Sequence, residues 1–197
     1  MQARIMNAFI EEIQAKGMKF TMDDLAKRLG ISKRTLYEHF SSKIQILDGI
    51  IEHTIAEFDE QTERILEDDS LNLLEKIKKV ITVVPKYNEF YDLRILEQMK
   101  RYYPVQYERM HTALNQWDAL RGLIEKGIEE GLIVNRNVPL MMKLILDATN
   151  STLDRSFFIE NSINLNDALA AIVDILLFGL IDQHHPIALA AEQKKEA

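Results

Sequence analysis

Apolar residues recur at helical spacing along almost the whole chain. Ile5, Phe9 and Ile13, with Ala8 beside them, mark one face of a first helix that stops at Gly17. Thr21 predicts a second helix, because its hydroxyl can accept from the free N–H groups of a first turn while Asp23 and Asp24 complement the positive end of the helix dipole. The apolar positions of that helix are Met22, Leu25, Ala26 and Leu29, and Gly30 is the residue best able to end it with a positive φ. Only Gly30 and Ile31 intervene before Ser32, a good N-cap for a third helix through Phe40. Leu36 and Phe40, four apart, turn inward, which leaves Lys33, Arg34, Tyr37 and His39 largely outward. Ser42 caps a long fourth helix, 43–66, with Ile44, Leu47, Ile51, Ile55 and Phe58 along one side.

Further on, the pattern predicts helices near 71–83, 87–102, 105–130, 138–160 and 165–184. Pro85, Pro104, the turn 131–139 and the polar stretch 160–166 separate them. No segment alternates with period two between turn signals, so the expected fold is all-α.

A chain of 197 residues with 47% hydrophobic content and only four Pro and seven Gly can bury a real core, as one large domain or two small ones. The longest apolar stretch, 168–181, is interrupted by Asp174 and falls short of the about 20 residues a membrane span needs. Residues 1–13 read as an amphipathic helix carrying Glu11 and Glu12 rather than a signal peptide, which predicts a cytoplasmic protein. The absence of cysteine excludes disulfides, thiolate metal sites and cysteine nucleophiles.

Charge divides the chain. Residues 1–50 hold eight Lys/Arg against six Asp/Glu, a net +2, whereas 51–197 hold sixteen against twenty-five, a net −9, giving −7 in all. Lys27, Arg28, Lys33, Arg34 and Lys43 gather around one short segment in which only Glu38 opposes them. The first region can approach a polyanion, and the second would be repelled by one.

Two short helices joined by a tight glycine-containing turn make a helix-turn-helix, whose second helix can enter the DNA major groove. Thr21, Ser32, Ser42 and Lys43 stand at helix N-termini, where free N–H groups favour phosphate, and Lys33, Arg34, Thr35, Tyr37 and His39 stand on or beside the third helix's outer face. A helical adaptor that contacts protein through 21–43 uses the same geometry and remains the alternative. The caps, the tight turn, the inward apolar set and the local positive charge all fall on the same helices, which favours DNA.

The run "FTMDDLAKRLGISKRTLYEHFSSKIQIL", residues 20–47, preceded by "RIMNAFIEEIQAKG", resembles the signature of the TetR family of bacterial transcription regulators. Gly30, Ile31, Ser32, Thr35, Leu36, Tyr37, His39, Phe40, Ser42 and Lys43 match almost position for position, and "GIEEGLI", residues 127–133, resembles the turn that ends a long central helix in such proteins. Many members carry a basic N-terminal arm, whereas here only Arg4 precedes the first helix. The resemblance implies a DNA-reading unit over residues 1–46, a connector helix 43–66, and a helical effector-binding and dimerisation domain over 47–197. It also implies a repressor, released from a palindromic operator by a small molecule.

The residues of the acidic body add their own expectations. The segment 165–181 is apolar nearly all round, and 140–148 is similarly broad, which predicts a two-fold dimer interface including Leu146, Leu153, Ile172, Leu176 and Leu180. Tyr87, Phe90, Tyr91, Tyr103, Tyr107, Met110 and Trp117, with Arg94, His111 and Asn150 as polar partners, are candidates to line a pocket for a hydrophobic or aromatic effector. Catalysis is not expected: no G-x-S-x-G, H-E-x-x-H, phosphate loop or G-x-G-x-x-G is present. His53 and His111 lack a ligand partner at helical spacing, and the adjacent His184 and His185 would point in different directions, so neither a metal nor a cofactor is expected.

Overall fold

The computed structural model describes residues 1–179, which fold entirely into helices and turns. Helix α1 (Gln2–Lys16) buries Ile5, Met6, Phe9 and Ile13, and a 3-10 turn (Gly17–Lys19) leads out of it. Next come α2 (Met22–Leu29), α3 (Lys33–His39) and the long α4 (Lys43–Glu67), capped by Thr21, Ser32 and Ser42 as their sequence requires. Gly30 sits at φ 65°, ψ 31°, the left-handed conformation that lets the chain leave α2 and restart two residues later.

The body comprises α5 (Leu73–Ile81), a 3-10 turn (Asn88–Phe90), α6 (Leu93–Tyr102), α7 (Pro104–Asn115), α8 (Asp118–Glu129) and α9 (Val138–Asn150). A further 3-10 turn (Ser151–Leu153), α10 (Arg155–Glu160) and α11 (Leu165–Phe178) complete the described chain. Helix α5 starts at Leu73 because Asn72 and Glu75 form a reciprocal capping box.

Three of the expected long helices are divided, the stretch 87–102 at Tyr91 and Asp92, where Asp92 caps α6. The stretch 105–130 breaks at Gln116 and Trp117, where Asn115 Nδ2 donates to His111 O at 2.7 Å and closes α7. The stretch 138–160 breaks because hydroxyls compete for the helix carbonyls. Ser151 Oγ donates to Ala148 O at 2.6 Å and Thr152 Oγ1 to Thr149 O at 2.7 Å, after which Asp154 caps α10. At the "GIEEGLI" turn, the N–H groups of Leu132 and Ile133 return to Gly127 O at 2.9 Å. A Cβ at Gly127 would stand 2.7 Å from Ile133 Cδ1, so a larger residue there would have to push the Ile133 side chain aside.

Two apolar clusters hold the molecule. The first joins Phe9, Leu25, Leu36, Phe40 and Leu47 to Phe90, Ile95, Met99 and Met110, so the helix-turn-helix and α6–α7 share one core. The second packs Ile77, Val80, Leu120, Ile124, Met142, Ile145 and Val173 between α5, α8, α9 and α11.

One expectation about a buried face is corrected. Ile44, expected on the inward side of α4, is exposed, because the inward arc runs instead through Ile46, Leu47, Ile50 and Ile51. Of the residues expected at a dimer interface, Leu146 and Ile172 are half-buried, Leu176 packs on the second cluster and Leu153 on the first. The large apolar groups that α9 and α11 leave in solvent are Leu140, Leu144, Ile175 and Phe178. Leu180, His184 and His185 lie outside the described residues.

Candidate functional site

The N-terminal caps of the helix-turn-helix are all engaged. Thr21 Oγ1 accepts from Asp24 N at 3.2 Å while Thr21 N donates to Asp24 Oδ2 at 2.8 Å, and hydrogen bonds from Thr21 hold the Asp24 carboxyl below its usual range. Ser32 Oγ accepts from Thr35 N at 3.0 Å and lies 2.8 Å from Thr35 Oγ1, which leaves Thr35 half-buried at the start of α3. Ser42 Oγ accepts from Gln45 N at 3.2 Å.

Leu36, fully buried, fixes the roll of α3, and Arg34 and Tyr37 then stand in solvent. The Arg34 side chain is 90% exposed and pairs only along its own helix, with Glu38 at 3.0 Å. Lys33, also exposed, pairs with Asp23 of α2. Asp23 and Glu38 were not among the expected site residues; the four-residue spacing of Arg34 and Glu38 was the available signal. His39 lies at the edge of this face, where it lines a cleft with Met1, Gln2, His53 and Glu57.

Lys43 is placed differently from the expectation. Its ammonium donates to Met18 O at 2.5 Å and Phe20 O at 2.7 Å and lies 4.0 Å from the Phe20 ring centroid, so it ties α4 to the turn after α1. Burial pushes its pKa down, against the opposing charge of Asp24. Arg4, far from being an arm, lies within α1 and donates to Leu29 O at 2.8 Å, capping the end of α2.

A buried carboxylate holds α1 and α2 together. The Glu12 side chain, 3% exposed, accepts from Arg28 Nε and lies 3.0 Å from Lys16 Nζ. Burial alone would raise its pKa, but hydrogen bonds and charge from Arg28 and Lys16 outweigh burial and hold it below the usual carboxylate range.

The body carries a cavity of about 620 Å³, open to solvent on one side, between α4, α7, the 3-10 turns and α11, a size typical of small-molecule sites. Its walls are apolar, from Ile55, Phe58, Val83, Leu114, Leu153 and Leu169, and polar groups reach in from Thr54, Asn88, Thr112 and Thr149. Of the expected lining set, Tyr91, Trp117 and Asn150 reach this cavity. Burial pushes the Tyr91 phenol up to about 12, with Glu57 adding to the rise and a hydrogen bond with Thr54 opposing it, so it stays a neutral hydroxyl.

The other expected lining residues are elsewhere. Phe90 and Met110 are core, and Tyr87 is buried beside the other cleft. Tyr103 and Tyr107 pack on the first cluster, and His111 lies against Tyr107, ring centroids 5.6 Å apart. Arg94 folds back on Asp92, its Nε and Nη2 each 3.1 Å from a carboxylate oxygen. Among the described residues no three His, Asp or Glu side chains are grouped to hold a metal, and no helix is long and apolar enough to cross a membrane.

Residues 5–50 match the family model for bacterial regulatory proteins of the tetR family. The HTH-type transcriptional regulator YvaF of Bacillus subtilis (strain 168) is 31% identical over 181 residues, covering 91% of this chain and 95% of YvaF. Among solved structures, the TetR family transcriptional regulator PfmR from Thermus thermophilus superimposes with a TM-score of 0.73 at 24% identity, covering 91% of this chain and 100% of PfmR. The regulator FadR from Bacillus subtilis in complex with stearoyl-CoA superimposes with a TM-score of 0.65 at 19% identity, covering 92% of this chain and 100% of FadR.

Proposed function

The chain belongs to the TetR family of bacterial transcription regulators, and from that premise we propose that it is a repressor that grips a palindromic operator as a homodimer and lets go when a small apolar or aromatic effector fills the cavity. In this reading residues 1–46 form the DNA-reading unit, α4 is the connector, and residues 47–197 carry the effector and dimer functions. The observation that carries the reading is a shared core. Ile55, Tyr91, Leu114 and Leu153 line the cavity and pack on the same cluster that fixes Leu36 and Phe40 beneath the recognition helix. A ligand that moves the cavity wall therefore moves the seat of α3. Coupling of this kind is typically about 1–3 kcal/mol, or five- to 150-fold in operator affinity.

Base reading is assigned to Arg34 and Tyr37, with Thr35 and His39 beside them and Lys33 at the flanking phosphates. The caps at Thr21, Ser32 and Ser42 orient the helix N-termini toward the DNA backbone. Dimerisation is assigned to the apolar face of α9 and α11 at Leu140, Leu144, Ile175 and Phe178, since large apolar groups exposed on neighbouring helices mark an association surface. A two-fold dimer sets two copies of α3 about 34 Å apart, one turn of DNA.

The reading is tested by selecting genomic duplex fragments against the purified protein across a salt series and measuring its mass by sedimentation. A palindromic sequence bound with steep salt dependence by a dimer, and a monomer without that binding for Leu144→Glu, are the expected results. Recovery of no DNA, even at low salt, would overturn it and bring forward the adaptor alternative.

A further inference from the structure

We propose that the cavity selects a lipophilic organic cation with an aromatic body. This rests on the reading of the cavity as the effector site and adds the charge its occupant must carry. The argument is a comparison of which charged groups around the cavity are already engaged. Arg109 gives its guanidinium to Asp48 at 2.9 Å and to Glu52 at 3.3 Å, neither of which lines the cavity. Arg155 donates through Nη2 to the backbone and side-chain oxygens of Asn88. Arg109 is thus neutralised by two carboxylates that lie outside the cavity, and Arg155 is anchored through Nη2 to Asn88 at its wall.

The acids are in the opposite state. Asp59 and Glu108 both line the cavity, both are exposed, and neither makes an ion pair or hydrogen bond with another described residue. They stand in a segment of strongly acidic balance, −9 over residues 51–197, which raises the local concentration of cations. Next to Asp59 in sequence, Phe58 meets Trp117 with ring centroids 5.9 Å apart and planes tilted by 42°. Both rings line the cavity, so an aromatic cation entering there meets π faces as well as carboxylates. A delocalised cation suits this better than a compact ammonium, because the remaining walls are apolar and offer little to replace a tight hydration shell.

Trp117 is the only tryptophan of the chain, so its fluorescence reports on the cavity directly. The full-length protein is titrated with tetraphenylphosphonium and with tetraphenylborate, ions of one shape and opposite charge, and separately with the neutral dye Nile red. Saturable quenching by the cation at a concentration at least tenfold below that needed for the anion is expected. The double variant Asp59→Asn, Glu108→Gln, whose side chains are exposed and which is checked for an unchanged circular dichroism spectrum, should lose that preference while keeping Nile red.

Equal or tighter binding of tetraphenylborate overturns the cation assignment, as does a cation preference that survives the double substitution. Binding of Nile red without either ion also overturns it and leaves the effector reading of the cavity standing. If none of the three reaches Trp117, both fail together.

Discussion

The helix-turn-helix and the body are held together by different means, although they share a core. In residues 1–50 most polar groups near the recognition face have a specific local partner: Thr21 with Asp24, Ser32 with Thr35, Lys33 with Asp23, Arg34 with Glu38, Arg28 with Glu12. The body instead leaves Leu140, Leu144, Ile159, Ile175 and Phe178 in solvent and keeps an open cavity among its helices. On the proposed function, the difference separates two tasks. A surface that reads DNA must hold a few side chains at fixed angles, whereas a surface that associates and a space that receives a ligand must stay incompletely satisfied until their partners arrive.

The strongest way to break this comparison is to open the part described as fully specified. Leu36 has no exposed surface and is the buried side chain that sets the roll of α3. Leu36→Ala should cost about 2–5 kcal/mol of stability, read by urea unfolding, because the site is surrounded by packed neighbours that can only partly close the gap. Since its cluster continues into α6 and α7, the body's helices should melt in the same transition. A separate, unchanged second transition for the body would show that the shared core does not couple the regions.

Next in size is the buried carboxylate. Glu12→Gln keeps the shape but removes the charge that Arg28 and Lys16 face, and should cost about 1–3 kcal/mol. Because the folded pKa lies below the ordinary 4.5, the stability this group contributes is complete above that value and is lost as the pH falls through the depressed folded value. The wild type should therefore lose stability in acid more steeply than the variant. Parallel pH curves would show that the pair contributes nothing.

A smaller pair of effects separates reading from support. Arg34→Ala should weaken operator binding by about ten- to a hundredfold at one base position, with the fold intact. Lys43→Met, if its ammonium keeps to the carbonyls of Met18 and Phe20, should lower thermal stability and leave the slope of affinity against salt nearly unchanged. A slope shallower by about one unit would place Lys43 on a phosphate in the complex instead.

What the sequence made legible follows the same division. Caps at Thr21, Ser32 and Ser42 and the positive φ at Gly30 are decided within a few residues, so the helix-turn-helix could be read with its boundaries. The breaks near 116 and 151–154 were missed because no Gly or Pro marks them, only Asn, Ser and Thr side chains returning to nearby carbonyls. The cavity was read least well. Whether an aromatic residue lines it or fills the core depends on the roll of its helix against others, and periodicity gives no help when the helix is covered on two sides. Arg94 could have been placed from sequence, since Asp92 two residues before it is a helix cap with oxygens to spare.

The smallest prediction concerns a polar link between the two regions at the base of α6. Gln98 Oε1 accepts from the backbone N–H of Met18 at 2.8 Å, across the junction between α6 and the turn that follows α1. Gln98→Ala removes that acceptor without touching the apolar cluster beneath it, so it should cost only about 1 kcal/mol in overall stability. Its local effect should be larger. The Met18 amide loses its partner, and hydrogen exchange there should quicken while amides within α2 and α3 stay protected by their own helical bonds. If exchange quickens at Met18 and throughout α3, the polar link helps to hold the reading head in place, and the body could reposition it through α6. If only Met18 responds, the two regions communicate through the shared apolar core, and the cavity wall at Tyr91 and Ile55 is where substitutions should change the response to a ligand.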